Sequence, residues 1–335
     1  MQMQGWQVSQ LGEPAEVLRL TELDVPRPGA GQVGVEVLGC ALNFPDVLLV
    51  RGQYQDAAPL PFTPGIEICG RVTAVGYGVD GFGVGDRVMG GALLPAGGLA
   101  EHALADPRLL RPAPPGLDDA RAAAFTVAYQ TGWMALVHRA KLQPGETLLV
   151  HAAAGGVGSA AIAIGKAIGA RVVGVVGGAE KAAVAAELGA DAVIDRHAIG
   201  SADNLVPALK EALGTGGADV VYDPVGGDAF VASTKVMAFE GRLVVIGFAG
   251  GTVPKLSVNH ALVKNYTVIG LLWGAYRFRA PQLVDDAWTD LDRLLAAGMN
   301  PPYVSRTSAL SQGAAELTEL AEGRVIGRVV VGAAG

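Results

Sequence analysis

The sequence predicts an α/β protein of two domains: a mostly-β unit and a doubly wound parallel sheet covered by helices. Three observations carry that expectation. At 335 residues the chain exceeds the usual single domain and is long enough to bury two cores. Up to about residue 110 it reads as short β-rich runs broken by Gly and Pro. From residue 147 onward apolar strands alternate with helical stretches, the rhythm of repeated strand and helix units.

In the first region QVGVEVLGCAL (32–42), EICGRVTAVG (67–76), DRVMGGALL (86–94) and LAEHALA (99–105) are the expected strands, each rich in apolar or β-branched residues. Residues 44–60 carry no strand pattern and read as a loop. RPAPPGL (111–117) holds the backbone extended, because a residue before Pro avoids the helical region. Asp118 and Asp119 then supply an N-cap and a first-turn negative charge for an apolar helix from Ala120 to Val137.

In the second region TLLVHAA, RVVGVV, ADAVID, ADVVYD and RLVVIGF are successive strands, with YTVIGLLW (266–273) as the last. Helices are expected between them, at 155–169, 179–189, near 202–213 and near 227–237. Strands that are apolar on both faces suit a parallel sheet buried between two helix layers. QLVDDAWTDLDRLLAAG (282–298) and LSQGAAELTELAEG (310–323) read as helices stopped by glycine, and GRVVVG (327–332) as a closing strand. These last pieces are expected to rejoin the first domain, giving 1–122 with 275–335 as one domain and 123–274 as the other.

Composition narrows the function. Half the residues are apolar and 17% charged, a packed globule rather than a disordered chain. The net charge of −7 argues against nucleic acid as a partner, since phosphate-tracking surfaces are basic. Cys40 and Cys69 form no CxxC pair, which excludes a disulfide framework and a four-thiolate zinc site and suits a reducing, cytoplasmic setting. The first residues lack a basic segment followed by an apolar run, so no signal peptide is expected. Thr147 to Gly165 is uncharged and of membrane-spanning length, but His151 and four glycines make it a strand, a turn and a helix, and no membrane partner is expected.

AAAGGVG (152–158) sits between a strand and a helix of small residues, where a dinucleotide pyrophosphate binds in doubly wound sheets. Gly155 lets backbone approach the anion, Gly156 and Val157 open the helix whose N–H groups face it, and Gly158 lets helix pack on strand. The loop departs from GxGxxG, with Ala153 at the first glycine position. The second strand runs into Gly177 without an acid for a ribose 2′-hydroxyl. Lys181, with Arg196 after the third strand, could balance a 2′-phosphate instead, which favours NADPH over NADH. The competing reading makes Lys181 a solvated helix residue and Glu180 the acid.

NFPD (43–46), PGIEICGRVTAVG (64–76) and HAAAGGVG (151–158), supported by ELGADAVID (187–195) and GLLWGAY (270–276), resemble the zinc-free quinone oxidoreductase (zeta-crystallin-like) branch of the medium-chain dehydrogenase/reductase superfamily, over essentially the whole chain. The resemblance implies a GroES-like mostly-β catalytic domain with a Rossmann doubly wound domain inserted in it, and a homodimer. In the zinc alcohol dehydrogenases of that superfamily a Cys and a His hold the catalytic metal at the places matching Asn43 and Ile66, neither of which is a zinc ligand, so no metal is expected. Quinones and enones are electrophilic without a Lewis acid, and the implied activity is NADPH-dependent hydride transfer to such a small-molecule acceptor held between the domains. An enoyl-thioester reductase and a non-catalytic NADPH-binding regulatory or structural protein stay open as alternatives.

The resemblance further places Asn43 and Asp46 at the cleft and Tyr54 and Thr126 near the nicotinamide, as positioning groups; the alternatives are an Asx turn and satisfied core hydroxyls. It sets Gly247 and Phe248 beside the nicotinamide ribose and Arg324 within reach of the cofactor, Arg324 being equally readable as a helix-end surface residue. Glu67 reads as a buried carboxylate paired with an Arg rather than as a base. His151 reads as buried and structural, and His102, His138, His197 and His260 show no metal-ligand spacing.

Overall fold

The computed structural model describes residues 1–332, and of Ala202 the backbone alone. It divides into two compact units, Met1–Val127 with the chain from Pro302 onward, and Ala128–Pro301. The chain lays down β1 (Gln2–Val8), β2 (Leu18–Asp24), β3 (Val33–Ala41), β4 (Glu67–Val75), β5 (Arg87–Ala92) and β6 (His102–Pro112) in the first unit. The second unit holds β7 (Thr147–His151), β8 (Arg171–Val176), β9 (Ala192–Asp195), β10 (Ala218–Asp223), β11 (Met237–Val245) and β12 (Thr267–Gly270). β13 (Val304–Ala309) and β14 (Arg328–Gly332) return to the first unit.

In the first unit β3, β4, β5 and β6 pair antiparallel in succession, and β6 pairs back onto β3, closing a four-strand ring. Closure leaves no free edge among those strands. Val33, Val35, Val37, Ile68, Val72, Val88 and Leu110 fill its core. β14 extends the sheet from the end of β3, pairing Val330 with Ala41 and Val331 with Cys40, which brings Arg328 to the same end of the ring as Asn43.

In the second unit all six strands are parallel, in the order β12-β11-β10-β7-β8-β9. From β7 the chain moves out through β8 and β9, then crosses to β10 on β7's other side. The strand order therefore reverses between β7 and β10, and ligands of such sheets bind at the carboxyl ends beside that reversal. No helix among the described residues is long and apolar enough to cross a membrane, and the uncharged stretch from Thr147 is indeed β7, a turn and the helix Gly156–Ile168.

Several expectations are corrected. Residues 44–50 are a helix, Phe44–Val50, whose cap is built by Asn43 and Asp46. The helix expected at 120–137 breaks into Asp119–Ala123, Thr126–Trp133 and a π-helical turn, Met134–Arg139; its cap is as expected, Asp118 accepting from Arg121 N at 2.7 Å. The expected strand 99–105 is β6, displaced to His102–Pro112, and β11 ends before Gly247. β1, β2 and β13 carry too many polar residues for the strand pattern to show. The unit boundary falls after Pro301 instead of near 274, because the helix Pro281–Ala296 buries Val284, Trp288, Leu291 and Leu294 in the second unit. Its Asp290 accepts from Trp133 Nε1 at 2.8 Å.

Candidate cofactor site and buried polar centre

The predicted site residues fall into two groups, one in each unit. In the second unit β7 ends at His151 and the chain turns through Ala152, at φ 48°, into the helix Gly156–Ile168. A side chain at Gly158 would put its Cβ 2.2 Å from Ala152 O, so only glycine lets the helix seat against this turn. At Gly155 the same construction leaves 3.2 Å, a tight but less severe approach. Gly155, Gly156 and Val157 stay partly exposed, and the first N–H groups of the helix have no preceding carbonyl to bond, so they and the helix dipole suit an anion. Ala153 packs where β8 comes closest, its Cβ 2.9 Å from a Cβ built on Gly174. The small residue at this variant position therefore serves strand packing.

The ends of β8 and β9 are tied together. Asp195 Oδ1 accepts from Gly178 N at 2.7 Å and from His197 N at 2.9 Å, and these N–H groups hold its carboxyl below the usual carboxylate range. Arg196 is thereby folded toward Gly177, with Nη2 3.7 Å from where a Cβ would stand. Lys181 is half-buried, and its pKa is lowered by that burial and by the Arg196 charge, partly offset by Glu180. Two cations thus stand together beyond the end of β8, with the Asp195 carboxylate held by backbone N–H groups and Glu180 exposed beside them.

At the neighbouring ends, Asp223 closes β10 and spends Oδ1 on Val225 N and Gly226 N at 2.9 and 3.0 Å. The turn after β11 carries Gly247 and Phe248, the latter half-exposed with its ring edge against Gly226. His151 is buried, with Nε2 2.7 Å from Ser233 Oγ; desolvation lowers its pKa to about 4, with Arg196 adding to the shift and Asp223 opposing it.

In the first unit Asn43, Asp46, Glu67 and Arg328 form one buried centre. Asn43 Nδ2 donates to Ala41 O and Glu67 Oε2, at 3.0 and 2.9 Å, and Asn43 Oδ1 accepts from Arg328 Nη1 at 2.7 Å. Arg328 Nη2 is ion-paired with Glu67, as the sequence suggested for that carboxylate. Asp46 accepts from Asn43 N, Gly65 N and Ile66 N; burial nonetheless raises it to about 6. Burial likewise raises Glu67, against the pull of Arg328. Both cysteines are buried, and burial pushes Cys69 up to about 12 and Cys40 well above its ordinary value, so neither is a ready nucleophile.

Glu67 Oε1 also accepts from Val127 N at 2.6 Å, which fixes the adjoining Thr126. The Thr126 hydroxyl is buried and has no hydrogen-bond partner among the described residues. Tyr54 packs half-buried against the unit's core. Arg324 pairs with Glu319 and Glu322 beyond the helix Gly313–Ala321. Sequence reasoning missed Arg328 and His197. A lone Arg opening an otherwise apolar strand was the available signal for the first; nothing in spacing marked the second.

A closed antiparallel ring thus has a doubly wound parallel sheet inserted in its chain, a sheet type that binds dinucleotides at its strand carboxyl ends. The alcohol dehydrogenase GroES-like domain family matches residues 29–115, and the zinc-binding dehydrogenase family matches 156–288. A quinone oxidoreductase-like protein 2 homolog of Nematostella vectensis is 35% identical across 96% of this chain and 87% of its own. Escherichia coli quinone oxidoreductase, solved in complex with NADPH, superposes with a TM-score of 0.88 at 28% identity, covering 98% of this chain and 99% of that one. The CurK enoyl reductase structure gives 0.85 at 25% identity, over 99% of both chains. The chain belongs to the quinone oxidoreductase branch of the medium-chain dehydrogenase/reductase superfamily.

Proposed function

We propose that this protein is an NADPH-dependent reductase that delivers hydride to a quinone or another conjugated carbonyl without zinc. The observation that carries the reading is the gathering of Lys181 and Arg196 beyond the end of β8, where the Asp195 carboxylate is held by backbone N–H groups, next to a loop whose Gly158 admits no side chain. Bound NADPH supplies the hydride. The chain's part is to hold it: N–H groups of Gly156, Val157 and Gly158 take the pyrophosphate, Lys181 and Arg196 the 2′-phosphate, and Gly247 and Phe248 flank the ribose beyond β11. The unpartnered Thr126 hydroxyl is the donor offered to the nicotinamide or acceptor, with Tyr54 as a second positioning group. Asn43 and Asp46 act one step back, because every polar atom of their side chains is spent inside the protein.

Zinc does not fit the buried centre. Asn43 Oδ1 already accepts from Arg328, Ile66 offers no side-chain donor, and the Arg328 guanidinium already supplies the positive charge beside Glu67. Among the described residues no three His, Cys, Asp or Glu side chains gather as a metal would require. A homodimer is also proposed. β12 is an edge strand, and Phe239 on β11 with Val258, Leu262 and Val263 on the preceding helix are 73–78% exposed, an apolar border suited to a second copy. Light scattering of the purified protein checks this, with a monomer at micromolar concentration as the opposing result.

The activity is tested by NADPH oxidation against 9,10-phenanthrenequinone, 1,4-benzoquinone, an alkenal and crotonyl-CoA. Turnover of the quinones or alkenal is expected. Turnover of crotonyl-CoA alone would move the assignment to the enoyl thioesters suggested by the CurK likeness, and saturable NADPH binding with no turnover would refute a reductase. Lys181→Ala should raise KM for NADPH about tenfold and leave KM for NADH nearly unchanged, since an ion-supported hydrogen bond to phosphate is lost only with the phosphorylated form.

A further inference from the structure

We infer that His197 is a third, specificity-determining member of the proposed 2′-phosphate site, and that it takes up a proton when the phosphate binds. The inference rests on the NADPH reading above. It is carried by packing around the turn that joins β8 to the helix Ala179–Glu187. A Cβ built on Gly177 would lie 3.1 Å from His197 Nε2, and one on Gly178 would lie 3.5 Å from His197 Nδ1. The imidazole is therefore seated on the glycine pair, and the absence of side chains there gives it room. Asp195 fixes this placement by accepting backbone N–H groups from both Gly178 and His197. Arg196 Nη2 approaches the same glycine, and Lys181, one turn into the helix, feels the Arg196 charge.

Three nitrogen-bearing side chains stand near one partly exposed backbone turn at the carboxyl edge of a parallel sheet. Two are permanently cationic at neutral pH. Imidazole is the side chain that ordinarily changes charge near neutrality, and a phosphate dianion beside it favours the protonated form. The charged groups around His197 are Asp195, Arg196, Lys181 and the exposed Glu180. An arriving phosphate dianion adds negative charge beside the ring and favours its protonated form. Binding of a 2′-phosphorylated nucleotide is then proton-linked, whereas binding of its unphosphorylated counterpart is not.

The test uses the intact protein with 2′,5′-ADP and 5′-AMP as probes, titrated calorimetrically at pH 6.5 and 8.5 in two buffers of different ionisation enthalpy. Wild type should prefer 2′,5′-ADP and take up protons on binding it. His197→Ala, at an exposed position, should bind 2′,5′-ADP about tenfold more weakly at pH 6.5, with a smaller loss at pH 8.5, and should change 5′-AMP binding less than about twofold. It should also take up fewer protons; protonation of the phosphate itself is common to both proteins and cancels. Equal weakening of both probes, or unchanged proton uptake and affinity, would overturn the role of His197 while leaving the 2′-phosphate site standing. Equal binding of the two probes by wild type would overturn the site itself.

Discussion

The phosphate loop and the buried polar centre solve the problem of holding charge in opposite ways. The loop uses backbone: consecutive N–H groups at a helix start, admitted by a glycine whose Cβ would sit 2.2 Å from a carbonyl oxygen. The polar centre uses side chains, gathering Asn43, Asp46, Glu67 and Arg328 from three separated segments and compensating two buried carboxylates with one guanidinium and several N–H donors. A backbone site tolerates side-chain variation and fails through shape. A side-chain centre tolerates changes of shape and fails when one charge loses its partner.

That difference can be broken on the side-chain half first. Arg328→Met should cost about 3–5 kcal/mol, because Glu67 is left buried and uncompensated, and adding Glu67→Gln should recover most of the loss. Denaturant melts of the single and double variants measure it; equal loss in both would mean that the guanidinium acts by packing. On the backbone half, Gly158→Ala should cost about 1–3 kcal/mol and abolish nucleotide binding at concentrations that saturate wild type. Gly155→Ala, with 3.2 Å of room, should keep the fold and weaken binding less. Thermal melts with and without NADPH separate the two variants.

The units also differ in the sign of their pH response. The buried His151 ring titrates at about 4 in the folded chain against an ordinary 6.5. Between those values the unfolded chain binds a proton that the folded chain does not, so stability from this site is full above 6.5 and is lost as pH falls toward 4. His151→Gln should flatten that arm, worth about 3 kcal/mol. Asp46 runs the other way: raised from 3.8 to about 6, its contribution is full below 3.8 and is lost as pH rises through 6, and Asp46→Asn removes that fall. Melting temperatures between pH 4 and 7 read both variants. The smallest effect expected is Asp118→Ala, about 1 kcal/mol, because the cap bond to Arg121 N is lost and nothing else is buried with it.

What was legible in the sequence follows the same division. The parallel sheet, the loop at 152–158 and the acid-free end of β8 are local patterns, each contained in a few consecutive residues, and they stand where spacing put them. Arg196 was readable because it directly follows the end of β9, and Lys181 because it lies in the first turn of the helix after β8. The polar centre was half legible: Glu67 showed as a buried acid needing an Arg, but 261 positions separate it from Arg328, and only the pairing of β14 with β3 reveals which Arg it is. Asn43 and Asp46 were visible as a pair while their work as a helix cap was hidden, because a seven-residue helix that opens on Phe-Pro is too short to show a helical period. The helix Pro281–Ala296 showed its apolar stripe plainly, but a stripe does not say which unit it covers.

The proposal that this protein reduces its acceptor without a metal is tested most directly by the rate of NADPH oxidation with 9,10-phenanthrenequinone after exhaustive dialysis against a chelator, with zinc content measured in the same sample. The account predicts an unchanged rate with zinc far below one equivalent per chain. Activity that disappears on dialysis and returns with added Zn²⁺ would contradict it.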